Sequence, residues 1–179
     1  YLIMKIKKKY GIVFWITGLS GSGKSNLGNI IFNEINKKYG KTIIIHGDDI
    51  RNIYDFNQYE KKDRIKLGKS NSNLCKLIAD QGVNVIFTTV ALFQKLHRYN
   101  RINIKNYVEI YIKSDIKNLL KNKKKKFYKK KTKFVWGLDI KPEFPKKPDI
   151  LLHNNFDIPI PKLGKKLLKR IEKEIEAFR

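Results

Sequence analysis

Lys24 and Ser25 close the stretch Gly18-Leu19-Ser20-Gly21-Ser22-Gly23-Lys24-Ser25, whose spacing is G-x-x-x-x-G-K-[ST]. Residue types in that order suit the phosphate chain of a nucleoside triphosphate. The glycines let the backbone close around phosphate oxygens. The lysine reaches the β- and γ-phosphates, and the hydroxyl after it suits Mg²⁺, a hard cation that takes oxygen ligands. The chemistry on offer is magnesium-assisted phosphoryl transfer, with Lys24 and Ser25 as its donor-side groups. The competing reading is a fortuitous Gly-Ser-rich turn, and the flanks decide between the two.

Both flanks fit. Ile12-Val13-Phe14-Trp15-Ile16-Thr17 is a continuous apolar run, as a buried parallel strand requires. After the loop, Leu27, Ile30, Ile31 and Ile35 recur at helical spacing, so a helix begins there and points free N–H groups and its positive dipole end at the anion. That helix ends at Lys37-Lys38-Tyr39-Gly40, with basic residues in its last turn and a glycine stop. A second strand over 42–45 runs into His46-Gly47-Asp48-Asp49-Ile50-Arg51, and the carboxyl end of a strand is where open α/β sheets place ligands.

The pattern then alternates. A helix is expected over about 59–80, with Ile65, Leu74, Leu77 and Ile78 on one side. A strand over 83–89, a polar helical stretch over 93–101 and a strand over 107–112 follow, and Ser114-Asp115 is placed to cap another helix. A fifth strand over 149–153 precedes a closing helix over about 161–178, striped by Leu163, Leu167, Leu168, Ile171 and Ile175. Strands alternating with helices predict an α/β fold of three layers, a five-stranded parallel sheet covered by helices on both faces.

At 179 residues the chain is long enough for one domain with a sizeable core, and 41% hydrophobic residues place it among ordinary globular proteins. No apolar run approaches the roughly 18 residues of a membrane span. The first ten residues carry a lysine triplet, with neither a long apolar region nor a small-residue cleavage site, and do not read as a signal peptide. They also open without methionine, so Met4 as the start and residues upstream are both open. A single cysteine, Cys75, rules out a disulfide framework within the chain and fits a reducing cytoplasm; on an apolar helix face it reads as a small core residue.

The net charge of +24 admits two accounts: a surface for nucleic acid, or anionic small substrates on a lysine-biased background. No zinc-finger, RNA-recognition or helix-turn-helix signature accompanies it, so no specific nucleic-acid partner is expected. Ten of the lysines fall between Lys117 and Lys133, interrupted by Phe127-Tyr128. Lying between two predicted strands, this block reads as a loop that could close as a basic lid, or as a merely solvated one.

These segments together resemble the adenylylsulfate (APS) kinases. Phe14–Ser25 is similar to the opening of that family, Gly47-Asp48-Asp49-Ile50-Arg51 to its Gly-Asp-Asn-x-Arg segment, and Asp63-Arg64 to its Asp-Arg helix. Lys76-Leu77-Ile78-Ala79-Asp80-Gln81-Gly82 matches the glycine turn ending that helix. Phe127-Tyr128-Lys129-Lys130 resembles its Leu-Tyr-Lys-Lys lid, and Gly137-Leu138-Asp139, Pro145 and Pro148 the segment that follows. The resemblance implies a P-loop kinase fold with a lid over about 121–138. It also implies transfer of the γ-phosphoryl group of MgATP to the ribose 3′-hydroxyl of a 5′-activated nucleotide, adenylylsulfate by family default. It assigns the loop from Gly18 to Ser25 to ATP, Ser25 to magnesium, and Asp48 to the acceptor hydroxyl as a catalytic carboxylate beside Lys24. Arg51, Arg64, Val90, Ala91, Lys129, Val135 and Trp136 fall on its acceptor side. The adenine pocket is implied near His153-Asn154-Asn155, which read equally well as a polar turn. Magnesium is the sole metal expected. The oligomeric state is open, a homodimer included.

The departures lie on the acceptor side. Where the family reads Phe-Ile-Ser-Pro-Tyr-Arg, this chain has Thr89-Val90-Ala91-Leu92-Phe93-Gln94. An acceptor-binding asparagine of the family is replaced by Leu67, and a base-stacking phenylalanine by Val135. Loss of such a stack removes about 1–3 kcal/mol per base, which a smaller pyrimidine would tolerate. A sibling group, the cytidine diphosphoramidate kinases of bacterial capsule pathways, is therefore a second reading of the acceptor, and a Val-x-Gly after the lid is similar to that group. A third, of another class, is a lysine-rich scaffold that binds ATP, or nucleic acid, without transfer; retention of Asp48, Arg51 and Arg64 speaks against it.

Overall fold

The computed structural model describes residues 10–56, 60–121 and 141–177. The loop strand, β1 (Val13–Gly18), leads into α1 (Lys24–Tyr39), then β2 (Thr42–His46), α2 (Gly47–Ile53), α3 (Lys61–Asp80) and β3 (Asn84–Thr89). The second half runs α4 (Gln94–Asn103), β4 (Tyr107–Lys113), α5 (Ile116–Lys121), β5 (Ile150–His153) and α6 (Ile160–Ala177). All pairings are parallel and the strand order is β2-β3-β1-β4-β5, the expected five-stranded sheet. The chain crosses from β1 past β3 to β2, returns to β3, then jumps over β1 to β4. The topology therefore reverses at β1, and the crevice at its carboxyl end opens where such sheets bind ligands.

Side-chain alternation along β1 builds two cores. Phe14 and Ile16 point to the face covered by α1 and α6, where Leu27, Ile31 and Ile35 meet Leu163, Leu167, Ile171 and Ile175. Val13 and Trp15 point to the other face, where Trp15 stacks on Phe87 with ring centroids 4.7 Å apart, against Leu67, Cys75 and Ala79 of α3 and Leu96 of α4. A strand buried on both faces needs an unbroken apolar sequence, which explains the opening run. The α1–α6 contact closes around Gly164, where a Cβ would lie 2.5 Å from Ile30 Cγ2.

The structure corrects several details of the sequence reading. Leu77 is 60% exposed; only Ile65, Leu74 and Ile78 of the expected apolar set pack on the core, because Leu77 lies outside the narrow stripe that the sheet covers. Residues 47–53 form a short helix of their own, with Asp48 in its first turn. Ser114 makes no side-chain cap: its Oγ is buried without a hydrogen-bond partner, and the Asp115 carbonyl receives the Asn118 and Leu119 amides. The expected polar helix α4 buries Leu96, His97 and Asn100. His97 Nδ1 lies 2.7 Å from Glu109 Oε1, and Arg101 joins Glu109 Oε2 at 3.0 Å to Asp149. Asp149 thus ends in an ion pair ahead of β5, not in its ladder. Beyond Lys121, the expected lid lies outside the described residues. Among the described residues no helix is long and apolar enough to cross a membrane.

Candidate active site

The phosphate-binding loop takes its shape from glycines where other residues would strain. Gly18 has φ +154, and a Cβ there would fall 2.4 Å from the Ile112 carbonyl oxygen of β4. Gly23 has φ +91, immediately before α1, with the Asn154 amide nitrogen 3.0 Å from its would-be Cβ. Both positions need a backbone that L side chains rarely adopt and a close approach besides. Within the loop the Ser22 amide donates to the Leu19 carbonyl at 3.2 Å. Lys24 is buried to 8% exposure, and its ammonium donates to the same carbonyl at 2.8 Å, which folds the side chain back over the loop. Ser22 Oγ is buried without a hydrogen-bond partner.

The loop is braced from the far edge of the sheet. Asn154, directly after β5, donates from Nδ2 to the Ser22 carbonyl at 2.9 Å, and its Oδ1 accepts from the Phe156 amide at 3.2 Å. It is 1% exposed. Phe156 itself has φ +67, a strained backbone for an aromatic residue, and its side chain lines the cleft. Sequence reasoning left His153-Asn154-Asn155 between a nucleotide pocket and a turn. The residue that matters there is Asn154, and its signal was an Asn placed one step beyond a strand.

A cavity of about 240 Å³ opens over the loop. Its floor is Ser20, Gly21, Gly23, Lys24 and Ser25, and one wall is His46, Gly47 and Asp48 from the β2–α2 junction. A second wall is Thr88, Thr89 and Val90 at the end of β3; Leu119, Phe156 and Ile160 add an apolar side. His46 Nδ1 is 2.8 Å from Thr88 Oγ1, which joins the first two walls above the β2–β3 ladder. The cavity therefore brings a lysine, a hydroxyl and a carboxylate together: Lys24, Ser25 and Asp48.

Of the other expected site residues, Gly18, Leu19 and Ser22 belong to the loop but do not line the cavity. Leu19 packs into the core, 2% exposed. Arg51, in the last turn of α2, donates to the Phe56 carbonyl at 3.2 Å, its guanidinium 5.2 Å from the Phe56 ring centroid. Arg64 stands in α3. Neither arginine lines the cavity, nor does Ala91, whose amide donates to Thr89 Oγ1 at 3.4 Å. Lys129, Val135 and Trp136 lie outside the described residues. Leu67, at the place of the family's acceptor-binding asparagine, is 9% exposed and packs in the core, so that position contributes apolar packing here. Thr88, Leu119, Phe156 and Ile160 were not anticipated, because only the fold brings them to the loop.

The family profile described as adenylylsulphate kinase matches residues 10–153. A cytidine diphosphoramidate kinase of Campylobacter jejuni is 34% identical over 147 residues, covering 80% of this chain and 86% of that protein. An adenylyl-sulfate kinase of Clostridium kluyveri is 30% identical over 159 residues, covering 86% of this chain and 80% of that protein. Among solved structures, a Mycobacterium tuberculosis APS kinase in complex with AMPPNP and APS superposes with a TM-score of 0.81 at 22% identity, covering 91% of this chain and 98% of that one. Shikimate kinase from Aquifex aeolicus superposes with a TM-score of 0.57 at 15% identity, over 90% of this chain and 97% of its own, so the architecture is that of P-loop kinases at large. With the profile spanning the phosphate-binding loop, both cavity walls and all five strands, the chain belongs to the adenylylsulphate kinase family.

Proposed function

We propose that the protein transfers the γ-phosphoryl group of MgATP to the ribose 3′-hydroxyl of a 5′-activated nucleotide, and that this nucleotide is cytidine diphosphoramidate. The observation that carries the kinase reading is the convergence of Lys24, Ser25 and Asp48 on one cavity above a glycine loop. On ATP binding the Lys24 ammonium exchanges its Leu19 carbonyl for β- and γ-phosphate oxygens, and the loop amides and the start of α1 receive the rest of the charge. The apolar side, Leu119, Phe156 and Ile160, suits the adenine ring.

Across the cavity, Asp48 orients the acceptor hydroxyl and takes its proton as the new O–P bond forms. The bond from the γ-phosphorus to the β–γ bridging oxygen breaks, and ADP leaves. Magnesium would fit here, held by the Ser25 hydroxyl, a hard oxygen ligand, with phosphate oxygens and water completing its shell. When bound it neutralises charge on the phosphates.

The acceptor side has lost polar groups of the APS kinase pattern. Leu67 is in the core and Ala91 and Gln94 replace a serine and an arginine of the APS kinase pattern, so fewer polar groups are left for an adenylylsulfate. The Campylobacter jejuni cytidine diphosphoramidate kinase, 34% identical, supports the same choice. Adenylylsulfate is the second reading, supported by the family match over residues 10–153. The test is purified protein with MgATP and each acceptor in turn, read as 3′-phosphorylated product. Turnover of cytidine diphosphoramidate and not of adenylylsulfate is expected. Turnover of adenylylsulfate alone overturns the acceptor assignment, and ATP binding without transfer to either overturns the kinase reading.

A further inference from the structure

Three hydrogen bonds meet at Glu143, a residue in an irregular stretch, and a fourth forms at its neighbour Phe144. One carboxylate oxygen, Oε1, accepts from Lys61 Nζ at 2.8 Å, at the first residue of α3. The other, Oε2, accepts from the Gln94 backbone amide at 2.9 Å, at the first residue of α4, where a free N–H and the helix dipole both favour a negative charge. The Glu143 amide donates to the Leu92 carbonyl at 3.0 Å, and the Gln94 side-chain amide donates to the Phe144 carbonyl. Lys61 also lies 5.9 Å from the Phe93 ring centroid. One side chain thus ties the start of α3 to the start of α4. The Lys61 ammonium and the Gln94 amide together hold the Glu143 carboxyl below the usual carboxylate range.

What Glu143 joins gives the clasp its meaning. Leu92–Gln94 directly follow Val90, which forms part of the cavity wall, and Ala91. Lys61 precedes Arg64 by one turn of α3. No loop residue nor Lys24 is within this set, and the nucleotide side is braced separately by Asn154. The two halves of the site therefore have different anchors.

Building on the kinase reading, we propose that Glu143 is a positioning residue for the acceptor: it sets the Val90–Gln94 loop and the start of α3 in register, so that the acceptor nucleotide is gripped with its hydroxyl at Asp48. Replacing the carboxylate loosens the acceptor wall without touching the ATP loop. Glu143→Ala loses two charge-assisted hydrogen bonds at once, while Glu143→Gln keeps the shape and sets an amide against the Lys61 ammonium. A Lys61→Met change in the Glu143→Gln protein removes that conflict.

Steady-state kinetics with the acceptor that the wild type turns over test this. The expected result is a KM for the acceptor raised about tenfold in Glu143→Ala, the loss of a hydrogen bond to a charged group, with the KM for MgATP within twofold of wild type. Glu143→Gln should fall between, and Glu143→Gln/Lys61→Met should recover part of the loss. Equal rises in both KM values, or unchanged acceptor KM in the two single variants at wild-type thermal midpoint, overturn the proposal. Absence of transfer in the wild type overturns the kinase reading instead, so the two failures are told apart by the unmutated protein.

Discussion

Asn154 Nδ2 and the Ser22 carbonyl oxygen stand 2.9 Å apart, and this one bond ties the end of β5 to the turn of the phosphate-binding loop across 132 residues of sequence. Ser22 sits between two loop glycines, Gly21 and Gly23, both at positive φ. A loop whose backbone is permissive enough to wrap a phosphate is also permissive enough to wander. The Asn154 side chain restricts it, and its position at 1% exposure means no water replaces it cheaply.

Asn154→Ala should therefore weaken nucleotide binding more than it weakens the fold. Leaving the buried Ser22 carbonyl and the Phe156 amide without this partner costs about 1–3 kcal/mol. We expect the KM for ATP to rise about tenfold while the KM for the acceptor holds. Asn154→Asp should be no better, since it sets an acceptor oxygen against the Ser22 carbonyl oxygen. Steady-state kinetics with ATP as varied substrate check this, and an unchanged ATP KM in both variants would refute it.

Lys24 and Asp48 face each other across the cavity in different capacities, and their variants should fail in different ways. Under the proposed mechanism Lys24→Ala removes the ammonium that meets charge developing on the transferring group, and loss of one such donor costs about 10²–10³ in kcat. Asp48→Asn keeps shape and hydrogen bonding but cannot take the proton, so kcat should fall about 10²–10⁴-fold with ATP binding preserved. Calorimetric titration with MgATP alongside turnover separates the two. Retained transfer in Lys24→Ala would remove the central assignment.

Glu109 makes stability depend on pH in acid. Burial alone would raise its carboxyl, but His97 at 2.7 Å and Arg101 at 3.0 Å outweigh that and hold it below its ordinary value of 4.5. A folded-state value below the unfolded one means the contribution is complete above about pH 4.5 and is lost as pH falls through the folded value. The thermal midpoint of the wild type should drop more steeply between pH 5 and pH 3 than that of Glu109→Gln. At neutral pH the variant should be less stable by about 3 kcal/mol, the low end for a broken buried pair, since Arg101 keeps Asp149. Parallel acid slopes in the two proteins would sink this account.

The sheet was legible because its strands are buried on both faces: an unbroken run such as Ile12–Thr17 admits few other structures. The donor loop was legible because its chemistry is local, all within Gly18–Ser25. Long-range polar contacts were not. Glu109 looks like an ordinary strand charge, and nothing in sequence pairs it with His97 and Arg101 on a helix that reads as polar throughout. Glu143 is silent, since it acts on a backbone amide 49 residues away, and Asn154 shows only as an Asn just past a strand, with nothing to name its partner 132 residues away. Leu77 misled for a simpler reason: period alone sets a helix face, and the width of that face depends on what covers it.

Cys75 offers a readout of how the nucleotide holds the fold together. Its thiol is fully buried on α3 against the sheet, and burial pushes it far above its ordinary value, so almost no thiolate forms in the native state. A thiol reagent should reach it only when α3 leaves the sheet, and labelling then measures the opening equilibrium. The loop bridges β1 and α1 while Asn154 recruits β5, so a ligand seated there opposes separation of the layers that bury Cys75. MgATP at about 100 times its dissociation constant should stabilise the closed form by about 2.7 kcal/mol and slow labelling about a hundredfold. Native protein that reacts as fast as a free thiol would disprove the burial argument, and labelling indifferent to MgATP would show that the nucleotide site and α3 open independently.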